Sequence, residues 1–278
     1  MPILASSRAV ARVLLLVMLA VAMVGCKTFG KRGNELETLP VEALYQRGVT
    51  AIDNANYNQA TEVFTRLIGR FPFGAYSEQS QINLAYAQYK NFKHDDAYST
   101  INRFIRTYPT HKNIDYAYYL RGLVNFDRQA DFLSRMVGLD TSRRDQAFLN
   151  QSFEDFSELL KRYPQSRYAP DGRQRLIYLR ESMARAEINI ALFYLRKGAY
   201  VAAANRAKGV VETYPQTVQV GDGLAIMVDS YRALGQTQLA DDAERVLKLN
   251  YPDHASFAGK WPQYHSNWWK LLPVVKRG

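Results

Sequence analysis

Amphipathic stretches of this chain end, again and again, on an aromatic residue followed by proline. Phe71-Pro72, Tyr108-Pro109, Tyr163-Pro164, Tyr214-Pro215 and Tyr251-Pro252 each close such a stretch, and their prolines lie 37, 55, 51 and 37 residues apart. Proline carries no amide proton to continue a helix, and its ring pushes the preceding residue out of helical geometry. The aromatic side chain before it still packs back onto the helix it ends. Recurrence of that punctuation restricts the chain to an array of similar helical pieces.

A unit of about 34 residues, two helices with proline closing the second, is the tetratricopeptide repeat. Small residues should fall where the two helices of a hairpin cross, and large ones where hairpins stack. Gly48, Tyr57, Ala60, Phe64 and Leu67 meet that requirement ahead of Pro72, and Leu84, Ala85, Ala97, Ile101 and Phe104 ahead of Pro109. Ala191, Tyr194, Gly198, Tyr200, Ala203 and Val210 do so ahead of Pro215, and Tyr231, Gly235, Ala240 and Leu247 ahead of Pro252. Glu244 is the misfit, a charged residue at an apolar position.

The third repeat is split. Its first helix carries Tyr118, Arg121 and Gly122 and its second Ser152, Phe156 and Leu159; Gly122 and Ser152 are 30 residues apart where Gly48 and Ala60 are 12 apart. The excess, 127–145, mixes Phe132 and Met136 with Arg143 and Arg144. Such inserts emerge as loops, and this one reads equally as a contact for an accessory protein or as a local cap over the array. The fourth repeat is lengthened: Pro170 suits a helix start, and Leu176, Leu179, Met183, Ala186, Ile190 and Tyr194 keep helical spacing. That predicts one helix of about 27 residues, roughly 40 Å long. The expected fold is all-α: a tetratricopeptide-repeat solenoid of five helical hairpins, with an insert in repeat 3 and a long helix in repeat 4. Repeats 1–3 would occupy 41–166 and repeats 4–5 would occupy 167–252.

The N-terminus points to a membrane surface. Arg8 and Arg12 precede the apolar run 13–24, which is too short to span a bilayer and fits a secretory signal. The run ends in MVGC, which resembles a bacterial lipobox, and Cys26 is the only cysteine of the chain. Residues 1–25 are expected to be removed and Cys26 to carry diacylglycerol and an N-acyl chain, with 26–40 as a flexible tether. Several acyl chains together anchor stably. Lys27, where many inner-membrane lipoproteins have aspartate, points to the outer membrane and its periplasmic face.

Catalysis is not expected. A lone cysteine excludes an internal disulfide or a cysteine metal cluster, and His94, His111, His254 and His265 are scattered, the second and third as turn residues. No metalloprotease, nucleophile-elbow or phosphate-loop pattern occurs, and no cofactor is implied. The net charge of +10 is spread through 36 basic and 26 acidic residues without a long block, so nucleic acid is not an expected partner.

What the repeats offer is surface. Positions expected on the concave side include Tyr45, Ile52, Ile82, Tyr86, Tyr89, Lys90, Tyr116, Tyr119, Leu123 and Phe126. Tyrosine presents a wide apolar face with a polar tip and suits a groove for an extended peptide; packing between adjacent repeats is the alternative. The extension 253–278 holds Trp261, Trp268 and Trp269 among lysines, fitting either a membrane interface or a cap over the solenoid's apolar end.

Taken together, FPFGAYSEQSQINLAYAQYK (71–90), RFIRTYPTHKNIDYAYYLRGLVNF (103–126), GLDTSRRD (138–145) and the stretch 196–215 resemble the BamD family, the ComL/YfiO-like lipoproteins of outer-membrane protein assembly. The likeness spans about 36–252 and departs in the tail. It implies a non-enzymatic scaffold of the β-barrel assembly machine, holding the last POTRA domain of BamA, accessory Bam lipoproteins, and the aromatic-ended β-signal of unfolded outer-membrane proteins. By that resemblance Arg206 faces BamA, the groove of Tyr86, Tyr89, Tyr116, Tyr119 and Phe126 takes the substrate, and Phe132, Met136, Arg143 and Arg144 meet an accessory lipoprotein. A periplasmic repeat lipoprotein of cell division or peptidoglycan synthesis is the alternative.

Overall fold

A computed structural model describes residues 36–128, 146–259 and 261. Cys26, Phe132, Met136, Arg143, Arg144, Trp268 and Trp269 lie outside them. Among the described residues the chain is helical throughout, without strands. It falls into two compact units that meet between Val124 and Asn125. The first unit holds α1 (Val41–Asp53), α2 (Tyr57–Arg70), α3 (Ala75–Lys90), α4 (His94–Thr107) and most of α5 (Ile114–Asp127). The second holds the last turn of α5, then α6 (Gln146–Arg162), α7 (Ala169–Arg196), α8 (Tyr200–Thr213), α9 (Gln219–Ala233) and α10 (Thr237–Asn250), with a 3-10 turn at Ala255–Ala258.

Neighbours in sequence are neighbours in space. In the first unit α1 packs on α2, α2 on α3 and α3 on α4; in the second, α6 to α10 stack in order, with α7 also touching α9. That nearest-neighbour pattern is what a helical-repeat solenoid produces. Because α6 packs on α7, the second helix of the split repeat groups with the C-terminal repeats, so the two units divide earlier in the chain than residue 166.

The crossing positions are filled as their residue types require. A Cβ on Gly48 would sit 2.6 Å from the Phe64 ring, so only glycine lets α1 approach α2 this closely. Ala60, Phe64 and Leu67 are fully buried, as are Ala85, Ala97, Ile101 and Phe104 in the next hairpin and Ala191, Ala203 and Val210 in the second unit. α7 runs for 28 residues with proline in its first turn, matching the long helix read from the sequence. Glu244 is accommodated on the surface side of α10, where it accepts from Arg232 of α9 at 2.6 Å and from Lys248 at 3.0 Å. Ile82 departs from expectation. It is a core residue, 1% exposed, because α3 is packed on most sides and buries polar Ser77, Ser80 and Gln81 as well.

Two turn designs alternate. Between the helices of a hairpin, α1, α3, α7 and α9 end alike: the amide two residues past the C-cap reaches back five residues, and the one before it reaches back three. The pairs are Asn56–Ala51 and Ala55–Ile52, Lys93–Gln88 and Phe92–Tyr89, Ala199–Tyr194 and Gly198–Leu195, and Gln236–Tyr231 and Gly235–Arg232. This is the Schellman arrangement, which needs a left-handed residue. Gly198 and Gly235 supply it at φ 72° and 71°, but Ala55 and Phe92 do so at 54° and 59°.

Between hairpins, the aromatic-proline pair ends the helix. Phe71, Tyr108, Tyr214 and Tyr251 have φ from −123° to −137° and donate their amides back to the helix. In four of the five turns the amide three residues on, that of His111, Ser166, Thr217 or His254, then bonds the aromatic residue's carbonyl at 3.0–3.1 Å. The aromatic rings fold onto the core, Phe71 and Tyr251 among them.

Candidate functional site: two protein-docking faces

The tyrosines anticipated for the groove of the first unit are half-buried rather than enclosed. Tyr86, on α3, stands edge-on to Tyr57 at the start of α2, with ring centres 6.3 Å apart. Burial, with Tyr57 beside it, pushes the Tyr86 hydroxyl above the usual phenol range, so it stays a neutral donor at any physiological pH. One turn on, Tyr89 meets His94 of α4 at 6.1 Å, and His94 meets Phe92 of the connecting turn at 6.3 Å. The Lys90 ammonium lies 5.9 Å over the Tyr57 ring. On α5, Tyr116 and Tyr119 lie 6.5 Å apart. The i, i+3 spacing of each pair puts both rings on one side of its helix.

Tyr57, His94 and Phe92 join this strip although the sequence reading left them out of the groove. By sequence Tyr57 falls at a repeat-packing position, and His94 and Phe92 have no place in the groove. The helical period of α3 shows neither, because contacts across a turn depend on how the second helix returns. Tyr45 is drawn the other way, into packing with Phe64 and Tyr76 at 6.2 and 5.2 Å.

Phe126 belongs to the second unit. Its ring packs against Phe156 at 6.4 Å and Tyr178 at 5.5 Å, with the Arg175 guanidinium 4.6 Å above it. Beside it Asn125 donates to the buried Asp155 carboxylate at 2.7 Å, which ties the end of α5 to α6.

The other face lies on α7 and α8. Arg206 is exposed and donates to Glu187 of α7 at 3.0 Å. It sits next to Ala207, which is buried, so the helix turns its guanidinium outward from a small-residue contact. A cavity of about 500 Å³ opens further along this unit, lined by Phe153 of α6, Arg180 and Met183 of α7, and Tyr214 with Gln216 beyond α8. Arg180 donates to Gln216 across it at 3.0 Å.

At the far end, Asp222 of α9 accepts from Trp261 at 2.5 Å and lies 3.2 Å from His254. The Trp261 ring covers the apolar clusters of Ile226, Val210, Leu224 and Leu247. Trp261 thus takes the capping place considered for the C-terminal extension.

Among the described residues no group of histidines and acids is arranged to hold a metal ion. Nor is any described helix long and apolar enough to cross a membrane. The face on α3 is thus aromatic and amphipathic, and the face on α7 and α8 carries an exposed ion pair.

Residues 37–246 match the model of the YfiO family, described as an outer membrane lipoprotein. The outer membrane protein assembly factor BamD of Xylella fastidiosa (strain 9a5c) is 47% identical over 92% of this chain and 87% of its own. BamD of Neisseria meningitidis (strain Z2491) is 37% identical over 93% of this chain and 98% of its own, and that of Vibrio cholerae is 37% identical over 76% and 88%. This chain therefore belongs to the YfiO family of outer membrane lipoproteins.

Proposed function

We propose that the protein is a non-enzymatic assembly factor for outer-membrane proteins, held at the periplasmic face of the outer membrane by acyl chains on Cys26. The observation that carries this reading is the likeness to proteins named assembly factors along nearly their whole length. The tyrosine strip of the first unit supports a role in receiving unfolded β-barrel chains. Its half-buried rings, the neutral Tyr86 hydroxyl and neighbouring Lys90 suit an extended strand that presents aromatic side chains. The Arg206–Glu187 pair supports a second contact, to the last POTRA domain of BamA. An accessory Bam lipoprotein would take the insert that contains Phe132, Met136, Arg143 and Arg144.

Arg206→Glu places two carboxylates together, so a single reversal confounds loss of contact with local repulsion. The exchange Glu187→Arg with Arg206→Glu restores the pair in the opposite sense. With Arg206 itself on the BamA interface, both variants fold and both lose BamA on affinity isolation from solubilised membranes, by about tenfold for a desolvated charged contact. Recovery of BamA by the exchange at the wild-type level would refute the contact.

A further inference from the structure

The four hairpin turns described in full make the same pair of backbone hydrogen bonds and demand a left-handed residue at the same place. Glycine meets that demand without steric cost; a residue with a Cβ does not. Gly198 and Gly235 are the expected solution, and Ala55 is a mild departure. Phe92 is a severe one. It holds φ 59° with a bulky side chain and leaves its ring 82% exposed, so it contributes little core burial in return. Nothing in the folding of the hairpin asks for phenylalanine there. A strained and solvated aromatic residue is the signature of a side chain kept for contact with something outside the chain.

Its surroundings indicate what. Through His94 the Phe92 ring is continuous with Tyr89 and the tyrosine strip. Lys90 and Lys93 flank it and are exposed. Asp95 and Asp96 open α4, where the positive end of the helix answers acidic charge, so the turn itself is left basic. An aromatic platform beside two ammonium groups complements a chain end that carries an aromatic side chain and a free carboxylate.

We propose that Phe92 is an aromatic anchor that extends the tyrosine strip to the hairpin turn and takes the terminal aromatic residue of an incoming peptide. Lys90 and Lys93 pair with that peptide's C-terminal carboxylate. The proposal rests on the strip being the substrate face, and the experiment separates the two.

The test uses the mature chain and a labelled ten-residue peptide that alternates apolar and polar residues and ends in phenylalanine. Anisotropy titrations compare wild type, Phe92→Gly, Phe92→Trp and Tyr86→Ala, with thermal melts in parallel. Relieving the left-handed strain raises the melting temperature of Phe92→Gly, while losing the ring weakens peptide binding by about three- to tenfold. Gain of stability with loss of binding is a combination that a structural role for the ring does not produce. Phe92→Trp binds as wild type, and amidating the peptide's C-terminus weakens binding to wild type. Phe92→Gly binding as tightly as wild type while Tyr86→Ala binds weakly overturns the anchor and leaves the strip. Wild type that fails to bind the peptide overturns both. Loss, in Phe92→Gly, of self-association or of binding to phosphatidylglycerol vesicles, with peptide binding intact, assigns the ring to those partners and also overturns the proposal.

Discussion

Ala55 shows how much one φ angle costs. It fills the left-handed turn position at the end of α1, with φ 54°, and it is exposed, so its methyl group gains little from packing. A left-handed alanine is penalised by about 1–2 kcal/mol, of which the extra freedom of glycine in the unfolded chain takes back roughly 0.5–1. Ala55→Gly is expected to stabilise by about 0.5–1 kcal/mol, visible as a rise of about 1–4 °C in melting temperature. A lower melting temperature would mean that the turn is not held as described. Gly48 carries the opposite message: its constraint is space against Phe64, not backbone angle, so the same residue type serves two unrelated purposes along one repeat.

The aromatic-proline turn is the element that the sequence displayed most openly, because proline and a large ring act locally. Helix boundaries, the crossing alanines and the long α7 followed from it and from helical periodicity. Less visible was the residue two places past the proline. His111 and His254 read as ordinary turn residues, yet each folds its imidazole Nδ1 onto the amide two residues ahead, of Asn113 at 3.1 Å and Ser256 at 3.3 Å. Ser166 does the same with its hydroxyl to Tyr168. A side chain-to-backbone bond of this kind leaves no periodic trace, and serine and histidine both supply it, whereas Thr217 in the matching turn donates its hydroxyl to the Tyr214 carbonyl instead. The tyrosine strip was half legible for a similar reason. Tyr86, Tyr89, Tyr116 and Tyr119 share helix faces, whereas Tyr57, His94 and Phe92 join them only through the fold of a turn.

His111 gives that turn a pH dependence. Burial against Phe104, at 5.2 Å between ring centres, holds its imidazole below the ordinary value of 6.5, and Glu78 at 4.0 Å only partly opposes the effect. The unfolded chain therefore binds a proton more readily than the folded one. Stability from this residue is complete above about pH 6.5 and is lost as pH falls toward the lower folded value. Protonation at Nδ1 also removes the acceptor for the Asn113 amide. His111→Asn keeps an acceptor and does not titrate, so its melting temperature should fall less than that of wild type between pH 7.5 and 5. Parallel curves would exclude His111 as the source.

At the largest scale, nearest-neighbour stacking within each unit leaves long helix faces on the surface, which suits holding other chains rather than transforming them. Membership of the YfiO family fits that economy, and so does a strip of rings that the core does not consume. The most direct measurement places a photoreactive phenylalanine analogue at Tyr86, and separately at Leu249 on α10 as a reference, 80% exposed, in cells producing a β-barrel protein. The account predicts adducts with unassembled β-barrel chains from position 86 and none from position 249. Adducts of equal yield from both positions, or none from position 86, would contradict it.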